Sequence, residues 1–155
     1  MLDDDTVTFF EGPTSLIIGF PLADGEPFAG HAWGLRVEPG TPPTLRLVLA
    51  ERDACRREDA LDLPVAITAA DVPTLGARQL KGFVRRSGAP TPDELELAAQ
   101  HRDAFFDAVH RTDGEPLELL HRLYPSSMWT WVVEVHELYD QTPGPGAGCA
   151  LGGST

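Results

Sequence analysis

Lys81 is the only lysine in a chain of 155 residues that carries eleven arginines, so one ammonium group stands apart from a set of guanidinium groups. It follows Gln79 by two positions in Arg78-Gln79-Leu80-Lys81-Gly82-Phe83-Val84-Arg85, and strand geometry puts both side chains on one face. Together they could offer a point charge to a phosphate and an amide to the polar edge of a ring. The plain alternative is a strand lysine in solvent. Arg36, near the end of Ala32-Trp33-Gly34-Leu35-Arg36-Val37, is a second candidate of the same kind. Trp33, Trp129 and Trp131 could wall a planar ring system, although large aromatics at alternating strand positions more often belong to a core or an interface.

Other constellations carry less. Asp103, Asp107 and His110 fall at i, i+4 and i+7 of one helix face, a spacing that could chelate a metal, yet they lie on the polar side of that helix, and no metal site is expected. His31 and His136 sit on strand segments, where a histidine could ligate haem iron, act as acid or base, or simply be polar. Cys55 and Cys149 match no metal or redox spacing and read as plain thiols. No nucleophile elbow with a Ser-His-Asp order, no phosphate-binding glycine loop and no paired-carboxylate motif is present, which argues against hydrolases and nucleotide triphosphatases.

The formal charge is −12 with a pI near 4.6. Such a surface repels nucleic acid and anionic membranes, so neither is an expected partner. No apolar run approaches the ~18 residues needed to cross a bilayer, and Met1-Leu2-Asp3-Asp4-Asp5 is acidic where a secretory signal is basic. A cytoplasmic location is expected. The length suits one domain, taken as residues 1–148, followed by a flexible tail over 149–155 that is introduced by a proline- and glycine-rich stretch.

The elements that must position these residues are short. Ser15-Leu16-Ile17-Ile18-Gly19-Phe20 stops at Pro21, and Asp24-Gly25 supplies a turn into a return arm over Phe28 to Val37. Leu45-Arg46-Leu47-Val48-Leu49 alternates at period two and predicts a third strand. The charged stretch from Glu51 to Leu63 predicts a short helix ended by Pro64, followed by strands over Val65 to Thr68 and Arg78 to Arg85. Thr91-Pro92-Asp93-Glu94 forms a capping box and predicts a helix to about Arg111, with Leu95, Ala98, Ala99, Phe105, Phe106 and Val109 as its apolar stripe. A short helix over Leu117 to Leu123 and a strand over Trp129 to Leu138 complete the chain.

This order resembles the pyridoxamine 5′-phosphate oxidase-like, FMN-binding split β-barrel family. The resemblance covers roughly Val7 to Gly148. It is carried by Phe9-Phe10-Glu11-Gly12-Pro13 leading into Ser15 to Gly19, by Ala32 to Val37, by Gln79-Leu80-Lys81-Gly82, and by Asp140-Gln141-Thr142-Pro143-Gly144-Pro145-Gly146. It implies a mainly β, six-stranded antiparallel split barrel with two or three added helices, working as a homodimer whose clefts hold FMN between subunits. The cofactor residues implied are Arg46, Val48, Leu49, Ala50, Arg52, Gln79 and Lys81, beside which Trp33 and Arg36 stand as cofactor candidates by residue type. The activity implied is FMN-dependent oxidation or reduction of a small organic substrate, with the cofactor doing the chemistry. One departure stands out: the turn Ala50-Glu51-Arg52-Asp53-Ala54-Cys55-Arg56-Arg57-Glu58-Asp59 lacks the hydroxyl usual for the family and is rich in carboxylates, which oppose a phosphate dianion. Two alternatives therefore stand beside FMN: the same fold with haem, a deazaflavin or no cofactor, and a non-catalytic flavin-binding module.

Overall fold

The computed structural model describes residues 2–152. Its elements are α1 (Asp4–Glu11), β1 (Ser15–Pro21), β2 (Pro27–Glu38), β3 (Thr44–Ala50), α2 (Glu51–Ala54), β4 (Pro64–Ala70), β5 (Ala77–Gly88), α3 (Pro92–Asp113), α4 (Leu117–His121) and β6 (Met128–Asp140). The six strands pair antiparallel in the order β1-β2-β3-β6-β5-β4, and β4 closes back onto β1. The expected six-stranded antiparallel barrel is present, with four helices rather than two or three.

Period-two alternation fills the barrel. Leu16, Ile18 and Phe20 of β1, Leu45, Leu47 and Leu49 of β3, Ile67, Leu80, and Trp131 with Val133 of β6 all point inward and are almost fully buried. Both Trp129 and Trp131 donate their indole N–H to the Ser87 hydroxyl, at 2.8 and 3.1 Å, which ties β6 to the end of β5. Gly82 is where β5 bulges against β6, and a Cβ there would lie 1.9 Å from the Glu134 carbonyl oxygen. The missing side chain makes room for another backbone.

A second cluster lies outside the barrel, where α3 crosses β2 and β3: Trp33, Val48, Ala98, Phe106, Leu120 and Met128. The capping box at Thr91 is formed in full, and Gly114, at φ 74°, ends the helix in the left-handed conformation that glycine tolerates. The stripe is rotated from the expected one. Glu94 and His101 face inward while Leu95 is 45% exposed, because Glu94 bonds groups on the barrel wall.

Two further differences have local causes. Helix α1 was not expected; Asp3 caps it by accepting from the Thr6 N–H at 2.8 Å. The expected helix over 51–63 is helical only over Glu51–Ala54. Beyond it Arg57 donates to the Pro21 carbonyl at 2.7 Å and to Asp59 at 2.9 Å, which holds the segment as turns against β1. Of the segment taken as a tail, Ala150 bridges to Tyr139 and the Leu151 N–H donates to Leu138 at 2.9 Å, whereas residues 153–155 lie outside the described residues.

Candidate functional site

Helices α3 and α4 cover the β2-β3 side of the barrel and leave the outer face of β1, β4 and β5 bare. The register lines up side chains across that face. Ile17 pairs with His31 and Thr68, and Thr68 with Gln79; one step on, Gly19 pairs with Ala29 and Ala66, and Ala66 with Lys81. Gln79 and Lys81 share this face, as the period requires. Gln79 Nε2 donates to Thr68 Oγ1 at 2.9 Å.

A groove of about 700 Å³ opens at the Lys81 end, lined by Pro21, Pro27, Phe28, Pro64 and Phe83 over a floor of Gly19, Ala29 and Ala66, with His136 and Glu137 also on its border. Lys81 Nζ stands 4.6 Å from the centroid of the Tyr139 ring. It pairs with no carboxylate among the described residues. The nearby carboxylates are engaged elsewhere: Glu137 accepts from the Tyr139 hydroxyl, and Glu134 accepts from Arg85 at 3.0 Å and bonds His136 Nε2 at 2.8 Å. The Glu137 contact raises the Tyr139 phenol above its ordinary range.

A second depression, of about 630 Å³, lies between β2, the α2 turn, α3 and α4. Phe105, Val109, Leu120 and Leu123 form its apolar side, and Trp33 is its back wall. Trp33 is 5% exposed and meets Phe106 and Tyr124 edge-on at 5.8 and 5.3 Å. Arg52, with its side chain 80% exposed, and Arg56, whose guanidinium lies 4.9 Å from the Phe28 ring centroid, stand at the mouth. Of the carboxylates in this turn only Asp53 lines the cleft, 3.8 Å from Arg52; Glu51 is turned to the Ser127 hydroxyl and Asp59 to Arg57. Phe28 and Ala29 line both depressions, so groove and cleft adjoin.

The candidate residues from the sequence thus fall in four places. Lys81 and Gln79 are on the bare face, and Trp33 and Arg52 are in the cleft. Val48, Leu49 and Ala50 are buried, Val48 under α3 and Leu49 inside the barrel. Arg46 and Arg36 lie beside the start of α3, each beside a carboxylate. Arg46 bonds Glu38 at 2.5 Å and Glu94 at 3.0 Å, and Arg36 stands 3.8 Å from Glu11. Burial pushes the Glu94 carboxyl upward, but bonds from the Thr91 N–H, the Thr130 hydroxyl and Arg46 outweigh it and hold the group below its ordinary value. Sequence reasoning did not single out Arg56, Phe105 or Leu123 as site residues; for Arg56 the available signal was its i+4 spacing from Arg52. Asp103, Asp107 and His110 each take a separate partner, in Arg102, Arg111 and the Glu115 carbonyl. No helix among the described residues is long and apolar enough to cross a membrane.

No known family model and no curated protein matches the chain. Solved structures do. HupZ of Group A Streptococcus superposes with a TM-score of 0.56 at 13% identity, covering 96% of this chain and all of that one. A protein described as an F420 reductase gives 0.53 at 16% identity, covering 88% and 98%. A putative pyridoxamine 5′-phosphate oxidase from Lactobacillus delbrueckii gives 0.52 at 15%, covering 89% and 93%. The class is thereby defined: this is a split β-barrel protein. That fold is shared with the putative pyridoxamine 5′-phosphate oxidase, as the order of the segments implied.

Proposed function

We propose that the chain is a flavin-type oxidoreductase, with FMN as the first candidate cofactor and a deazaflavin as the second, acting on a small organic substrate as a homodimer. One observation carries this reading: in a protein of net charge −12, an apolar cleft of drug-ligand size has two arginines at its mouth and a tryptophan at its back. A planar ring with an anionic tail matches that arrangement. The tail fits Arg52 and Arg56 better than Arg36 and Arg46, since Arg46 already neutralises two carboxylates and a phosphate there would compete with Glu38 and Glu94. The turning away of Glu51 and Asp59 removes much of the repulsion expected from this acidic turn.

Bound there, such a ring supplies hydride transfer; the protein's part is to hold, orient and shield it. Trp33 and Phe105 exclude water from one side. The bare face around Ile17, 40% exposed among small residues, suits contact with a second copy of the chain, which would bring Gln79 into reach of a ring held by its partner. The deazaflavin is retained because a protein described as an F420 reductase shares the fold.

The experiment is a visible absorbance spectrum and a light-scattering mass of the purified protein. A flavin or deazaflavin band, or saturable uptake of either, in a dimeric species supports the reading. A colourless monomer that takes up neither would end it.

A further inference from the structure

We infer that the groove beside Lys81 is a substrate subsite for a planar aromatic monoanion, such as an aryl carboxylate. The inference rests on the reading of the neighbouring cleft as a cofactor site only in calling the ligand a substrate; the binding itself is argued from the groove.

Three observations carry it. The first is an available charge. Lys81 forms no ion pair with a carboxylate among the described residues: Glu134 is held by Arg85 and His136, and Glu137, across the strand pair from Lys81, turns its carboxylate to the Tyr139 hydroxyl. Its ammonium rests on the face of Tyr139, which orients it without neutralising it.

The second is the character of the walls. Phe83, 39% exposed, and Pro64 present apolar surface, with Phe28 alongside, and the floor of Gly19 and Ala66 carries no side chain larger than a methyl group. The backbone groups beneath are engaged in strand pairing, so the floor offers a ligand few free donors. A phosphate dianion or a polyol needs several donors and would leave its oxygens unsatisfied here. A flat apolar body with a single negative charge has its needs met by one cation and aromatic walls.

The third is position. Phe28 and Ala29 belong to groove and cleft alike, so a ligand in the groove adjoins the cleft.

The test uses 2-naphthoate as the probe and its uncharged counterpart 2-naphthylmethanol, titrated calorimetrically into the whole protein as purified. Saturable naphthoate binding is expected, with the alcohol weaker by about tenfold or more, as for loss of a bond to a charged group. Lys81→Met should weaken naphthoate to a similar extent, and Lys81→Arg should retain most of it. The single variant Arg52→Ala, away from the groove, should bind naphthoate as the unaltered protein does. Equal affinity of Lys81→Met and unaltered protein, or no naphthoate binding at all, overturns the proposal. Lys81-dependent naphthoate binding in a protein that takes up no flavin would remove the cofactor reading and leave the groove as an aryl-anion site.

Discussion

The Arg46 guanidinium donates to the Glu94 carboxylate at 3.0 Å beneath the first turn of α3, joining residues 48 positions apart in the chain. Glu94 is 5% exposed and also takes the Thr130 hydroxyl of β6, so this one carboxylate locks helix to barrel. Arg46→Ala would strand a buried charge. A loss of about 3 kcal/mol in urea unfolding is expected, the lower end for breaking a buried pair, since Arg46 itself keeps some contact with water. FMN affinity should change little; a variant of normal stability with lost FMN binding would move the phosphate end to Arg46.

Phe106 is fully buried against Trp33. Phe106→Ala should cost about 3–5 kcal/mol by thermal or chemical unfolding, because the cavity opens between α3 and the barrel, where neither side can collapse freely. An unchanged melting curve would show that this ring is not core.

Gly82→Ala places a methyl group against the Glu134 carbonyl. Relief requires β5 and β6 to part, and a loss of about 3 kcal/mol or failure to accumulate as folded protein is expected. Folding at full stability would contradict the β5–β6 register.

His101 gives a pH dependence with a definite sign. Burial lowers its imidazole from the ordinary 6.5 to about 4, and its Nε2 has no hydrogen-bond partner among the described residues. The unfolded chain therefore takes up this proton at higher pH than the folded one. Stability from this group is complete above about pH 6.5 and declines as pH falls from there towards 4, approaching about 1.4 kcal/mol per pH unit. Denaturant midpoints at pH 7, 6 and 5 should fall more steeply for the unaltered protein than for His101→Gln. Parallel lines would refute the buried neutral imidazole.

Local chemistry explains how much of this was legible. The barrel strands and α3 follow from alternation, the Asp24-Gly25 turn and the Thr91 capping box, all signals within a few residues of their effect. The shared face of Gln79 and Lys81 followed from the strand period alone. What separates Arg46 from Arg52 is which carboxylate stands opposite, and Glu94 comes from a distant helix that no local pattern ties to β3. The cleft escaped notice for the same reason: Phe105 reads as helix stripe and Leu123 as a helix end until β2 and the α2 turn are folded against them. Helix α1 was missed because its aspartates were weighed as charge and not as a cap.

Binding of a flavin tail at Arg52 and Arg56 is tested most directly by fluorescence titration of FMN into the apo-protein. Saturable quenching near one FMN per chain is predicted, weakened by at least about tenfold in Arg52→Ala/Arg56→Ala, the range for losing hydrogen bonds to a charged group, and nearly unchanged in Lys81→Met. Equal affinity in the double-arginine variant, or a loss confined to Lys81→Met, would contradict it.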